Sequence, residues 1–92
     1  PMPAKDERTK LWELHLPPTI PRASDINLMA LASRFDLSGG QIKIIVENAA
    51  TEAAARRGIG RVLKQADLIK YCHIEVGNGA IKQSTPIGFA IA

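Results

Sequence analysis

Ninety-two residues are enough for one small domain with a modest core. Apolar residues make up 46% of the chain and aromatics only 4%, a balance that suits closely packed helices and argues against a β-sandwich. The net charge of +3 comes from scattered Lys and Arg with no dense block beyond Arg56-Arg57, so nucleic-acid contact is permitted but not indicated, and the single Cys72 excludes an internal disulfide.

Taken in order, Pro1 to Pro3 read as an extended lead-in, and Ala4 to Leu16 as the first helix. Asp6 and Glu7 fall where the helix dipole favours anions, and Pro17-Pro18 must end the helix, because a residue before proline is steered out of the α region. Leu11, Leu14 and His15 share one side by spacing, with Trp12 beside them as a core or inter-domain anchor. Pro17 to Arg22 form a stiff linker, after which Ser24 or Asp25 caps a short second helix whose Leu28, Leu31, Ala32 and Phe35 make a buried stripe.

Ser38 then caps a long third helix, with Ile42, Ile45, Val46, Ala49, Ala50 and Ala53 at helical spacing and Arg56-Arg57-Gly58 as its stop. Arg61-Val62-Leu63 reads as extended or as a helix lead-in. Gln65 or Ala66 to Val76 read as a fourth helix with Ile69, Cys72, His73 and Val76 on one face, stopped by Gly77-Asn78-Gly79. The tail from Ala80 to Ala92 has no helical period, although Ile81 and the patch Ile87 to Ile91 are apolar. The expected fold is all-α, a small four-helix bundle over residues 1–79 followed by a poorly structured tail over 80–92.

The stretch that asks for an explanation is Ser38-Gly39-Gly40. Two glycines in a first turn cost about 1 kcal/mol each relative to alanine if they sit inside the helix. One reading is that they only end the loop after Phe35-Asp36-Leu37; the other is that a bare backbone lets a ligand such as a nucleotide approach the helix N–H groups.

Little else carries chemistry. His15 and His73 are isolated from any nucleophile, and the carboxylates are dispersed. Cys72 and two histidines are not spaced for zinc. There is no phosphate-binding Gly-x-x-x-x-Gly-Lys-Ser/Thr loop, no Gly-x-Ser-x-Gly elbow, no signal peptide and no run near the ~20 apolar residues of a membrane span. Against a helix-turn-helix reading of the second and third helices, the first turn of the third lacks polar base-reading side chains. The start at Pro1-Met2-Pro3 suggests a fragment of a longer protein, and the lone cysteine fits a reducing, cytoplasmic compartment.

A series of segments resembles the C-terminal helical lid of AAA+ ATPases over roughly Pro1 to Val76. These are Arg8-Thr9-Lys10-Leu11-Trp12-Glu13-Leu14-His15, Asp25-Ile26-Asn27-Leu28-Met29-Ala30-Leu31-Ala32, Ser38-Gly39-Gly40-Gln41-Ile42 leading to Val46-Glu47-Asn48-Ala49-Ala50, and Ala66-Asp67-Leu68. Their order and spacing both fit; the tail falls outside the likeness.

The resemblance implies a lid that packs on an upstream AAA+ nucleotide-binding domain, covers the adenosine side of ATP and couples hydrolysis to motion in a homo-oligomeric ring that remodels a macromolecule. It implies that Gly39 and Gly40 approach the adenosine, Leu11 touches the base and His15 lies at the base edge. Lys43 stands where a Gly-x-x-Arg sensor-2 motif would place its arginine, but Ser-Gly-Gly-Gln is closer to members with Ser-Gly-Ala-Asp there, which usually lack that charge. From the residues alone, Leu11 also fits a core position, His15 a hydrogen-bonded helix end and Lys43 a solvated side chain. The Walker motifs, the Mg2+ site and the arginine finger would lie upstream, so the fragment alone is not catalytic. The alternative is a stand-alone helical protein-interaction or DNA-binding module.

Overall fold

Four α-helices and one 3-10 turn, with no strand, form among the residues described by the computed structural model, 2–84 (the side chains of Ile59 and of residues 78–84 excepted). Helix α1 is Lys5–His15, opened by Glu7 Oε1 accepting from the Ala4 N–H at 3.0 Å. Arg8, Trp12 and Leu16 recur every four residues on its buried side. Leu14 does not join them: it is 72% exposed. Two positions on from Trp12 it points about 200° away around the helix. Trp12 is fully buried in the core of these helices, and its Nε1 has no partner among the described residues.

The proline linker is pinned rather than loose. Leu63 N–H donates to Pro21 O at 2.9 Å and Ala23 N–H to Leu63 O at 2.8 Å, an isolated parallel bridge that brings Arg22 beside Leu63. Helix α2, Leu28–Arg34, is capped by Asn27, whose side chain accepts from Ala30 N–H at 3.0 Å. Neither Ser24 nor Asp25 serves as that cap; Asp25 Oδ1 instead accepts from the N–H of Gln65, at the start of the fourth helix. The stripe is as expected: Leu31, Ala32 and Phe35 are buried, and Leu28 packs against them.

Helix α3, Gly39–Ala55, buries Ile42, Ile45, Val46, Ala49 and Ala53, with Ala50 half-buried at the margin. Arg56 closes it, and Gly58 takes the left-handed conformation at φ +60°, a position where any side chain is strained. A 3-10 turn at Gly58–Arg61 leads to Leu63.

Helix α4 is Gln65–Ser84, so Gly77-Asn78-Gly79 does not stop it and its helix extends into the expected tail. Glycine weakens a helix without breaking it. A glycine stop works through a left-handed residue, and Gly58 is the one glycine with positive φ among the described residues. Leu68 and Cys72 are buried and Ile69 packs on the core, whereas His73 and Val76 are exposed. The His73 ring still meets Phe35 edge-on at 5.3 Å. The apolar patch Ile87 to Ile91 lies outside the described residues.

Helix α1 packs on α2 and α3, and α3 on α4, with Trp12, Leu31, Ile42, Ile45 and Leu68 filling the space between. This arrangement sets the N-terminus of α3 beside the middle of α1.

Candidate functional site

The first turn of α3 is built by a reciprocal capping box. Ser38 Oγ accepts from Gln41 N–H at 3.1 Å, and Gln41 Oε1 accepts from Ser38 N–H at 2.9 Å. The first helical bond follows, Ile42 N–H to Ser38 O at 3.0 Å. A helix start leaves four N–H groups without intrahelical partners. Ser38 and Gln41 are satisfied by the box, which leaves those of Gly39 and Gly40 at the positive end of the helix dipole.

Of the five residues singled out in the sequence, the structure brings together Leu11 and Gly39. A methyl group placed at Gly39 would lie 3.6 Å from Leu11 Cδ1 and 3.7 Å from Leu11 Cδ2, so the glycine backbone sits under the leucine side chain. Gly40 is exposed beside them, and a methyl group there would meet nothing nearer than Ser38 Oγ at 4.0 Å. His15 ends α1 one turn beyond Leu11 and is half-buried. Lys43 lies one turn into α3 and is exposed. Neither side chain has a hydrogen bond or ion pair among the described residues.

Neither glycine is demanded by the fold. Neither has positive φ, and both have room for a methyl group. Two amides without intrahelical partners at the positive end of a helix dipole suit a hydrogen-bond acceptor or an anion, and Leu11 beside them adds an apolar surface; Lys43 is the one cation in the sequence of this turn.

The strongest electrostatics lie elsewhere, at the seam of α3 and α4. The Arg56 guanidinium, bonded to Asp67 at 2.8 and 3.0 Å, holds that carboxyl below its usual range, against the opposing effect of burial. Glu52 is likewise lowered, first by the Tyr71 hydroxyl that donates to it at 2.6 Å and then by Lys70. These groups stitch two helices together, the ordinary structural cause of such shifts. An open groove of about 610 Å³ runs between α1 and the linker, lined by residues including Glu13, Arg22, Asp25 and Met29, away from the glycine pair.

Sequence reasoning missed Arg8, which is buried at 8% exposure. Its Nε and Nη2 donate to Ala32 O at 3.0 and 2.7 Å, its Nη1 donates to Pro3 O at 2.8 Å, and it pairs with Asp36 at 2.9 Å. The signal was present: Arg8 precedes Trp12 by four residues, so it had to share the tryptophan's buried side.

The family model of the contractile injection system ATPase helical domain matches residues 4–77, well over half the chain. The chain belongs to that family. No curated protein matches it. The contractile injection system ATPase helical domain seen here is a helical bundle in which no described helix is long and apolar enough to cross a membrane. Its family name makes it part of an ATPase system, and the matched span covers all of α1 to α3 and most of α4.

Proposed function

We propose that this helical domain is the lid of an AAA+ ATPase, covering the adenosine side of ATP and moving as a lever when the nucleotide is hydrolysed and released. The observation that carries the reading is the glycine pair: Gly39 and Gly40 weaken the first turn of α3 by about 1 kcal/mol each relative to alanine, and nothing inside the fold needs them. A requirement from outside the fold accounts for that cost, and an approaching ligand is one that two free amides and Leu11 fit. The resemblance to AAA+ lids and the membership in an ATPase helical-domain family support the same reading.

In this division of labour the upstream domain supplies the phosphate loop, the Mg2+ ligands and the attacking water, while this chain supplies one wall of the site. Gly39 and Gly40 let the ligand come close, Leu11 covers the base, and His15 lies toward the base edge. Lys43, exposed one turn on, would meet a phosphate as a point charge. The lid belongs in this reading to a cytoplasmic homo-oligomeric ring that remodels a macromolecule.

The test is Gly40→Val in the full-length protein, with ATP affinity measured by equilibrium titration. Gly40 is exposed, and a methyl there meets nothing nearer than Ser38 Oγ at 4.0 Å, so the expected result is a folded protein with weakened ATP binding. Wild-type affinity in a folded variant would refute the assignment of the glycine pair.

A further inference from the structure

We propose that Arg8 is the positioning residue of the glycine-pair site, holding α1 in register with the loop that delivers Gly39; this rests on the lid reading above. One guanidinium engages three separate segments. It takes the Ala32 carbonyl in the last turn of α2 with two N–H groups, the Pro3 carbonyl of the lead-in with a third, and the Asp36 carboxylate at 2.9 Å. Ala32 O belongs to the carbonyls that a helix end leaves without partners. Asp36 stands two residues before the Ser38 cap, and Leu11 stands three residues after Arg8, almost one turn along the same helix. Arg8 therefore fixes both partners of the Leu11–Gly39 contact, one through its own helix and the other through the loop.

Filling the core does not by itself account for an arginine here; bonding the Ala32 and Pro3 carbonyls is a structural role, and the Asp36 bond is what reaches the loop. Leucine or methionine would fill that side of α1 without taking a charge out of water. A planar fork with five N–H groups on three nitrogens suits a carbonyl, a second carbonyl and a carboxylate in different directions better than the single ammonium nitrogen of lysine. Asp36 is mostly in solvent, its side chain 84% exposed, so the pair adds little burial. What it adds is a fixed direction for the four residues that lead into the first turn of α3.

The experiment uses the full-length ATPase and compares Asp36→Asn, Asp36→Glu, Arg8→Lys and Gly40→Val. ATP affinity, KM, kcat and thermal midpoint are measured for each. Asp36→Asn is expected to weaken ATP affinity and raise KM by about two- to thirtyfold, with kcat and the thermal midpoint close to wild type. Asp36→Glu should recover most of the affinity, and Arg8→Lys should lose it. Should Arg8→Lys fail to fold, the exposed Asp36 variants decide the matter. Wild-type affinity in Asp36→Asn, with Gly40→Val impaired, overturns the role of Arg8 and leaves the lid reading intact. Wild-type affinity in Gly40→Val overturns the glycine-pair assignment and this inference with it.

Discussion

Arg56 and Asp67 form a two-pronged pair, Nη1 to Oδ1 at 3.0 Å and Nη2 to Oδ2 at 2.8 Å, that ties the end of α3 to the start of α4. Asp67 Oδ2 also accepts from Lys64 N–H at 2.9 Å, so the same carboxylate caps α4. The arginine bond, helped by the Lys64 amide, keeps the Asp67 pKa in the folded protein below its ordinary value. A carboxylate depressed on folding stabilises the protein above its unfolded pKa, and that contribution is lost as the pH falls through the folded pKa. Below about pH 4 the wild type should therefore lose stability more steeply than Asp67→Asn. At pH 7 the variant should be less stable by about 2 kcal/mol, the range for hydrogen bonds to a charged group. Urea midpoints across pH give both numbers. Glu52 is depressed too and titrates in the same direction; because the Asp67 charge raises it and Arg56 pairs with both, Asp67→Asn lowers Glu52 further, and the difference between the profiles carries that smaller change as well. Parallel pH profiles would remove Asp67 from the account of acid stability.

Gly39→Ala separates the needs of the fold from those of the ligand. The new methyl would make an ordinary contact, 3.6 Å from Leu11 Cδ1, at a helical position with negative φ. Thermal melting should show the domain more stable by about 0.5–1 kcal/mol. ATP affinity of the full-length protein should fall at the same time. A rise in stability with unchanged affinity would mean that Gly39 contributes nothing to nucleotide contact.

Cys72 is fully buried in the core on α4, and burial pushes its thiol up to about 12. Only the thiolate reacts with alkylating agents. The native protein at pH 8 should take up iodoacetamide far more slowly than the urea-unfolded protein, which has the same single thiol at its ordinary pKa. Mass spectrometry against time reads the two rates. Comparable rates would place Cys72 at the surface.

The helices that sequence patterning located best were those whose periodic residues meet a partner on a single side. Leu31, Ala32 and Phe35 on α2, and Ile42, Ile45, Val46, Ala49 and Ala53 on α3, are all buried as their spacing requires. The Ser38 cap was legible for the same reason: Ser followed three residues later by Gln is a local signal and closes locally. What spacing could not tell is what happens between segments far apart in the chain. Asp25 had the chemistry of a cap but serves Gln65, 40 residues away, leaving α2 to Asn27. Leu14 matched an apolar pattern with Leu11, yet Trp12 and Leu16 decided which side of α1 turned inward. At the candidate site Leu11 lies over Gly39, and while the burial of Arg8 could be read from its spacing to Trp12, its partners Ala32 and Asp36, 24 and 28 residues on, could not.

Gly77 offers the sharpest check on how α4 ends. In the sequence Gly77-Asn78-Gly79 has the look of a stop, whereas in the structure the helix passes through to Ser84. The two arrangements predict opposite signs for Gly77→Ala. At a left-handed stop, alanine would be strained and the domain would lose about 1 kcal/mol or more. Inside a helix, alanine restricts the unfolded chain and raises helix propensity, so the domain should gain about 1 kcal/mol. Gly77 has no positive φ, and nothing lies within 4 Å of the space a methyl would fill, so the gain should be free of any packing conflict. Thermal or urea unfolding of the single variant measures it, with a rise in helical circular dichroism as the companion signal. A loss of stability would return the glycine cluster to the role of helix terminator.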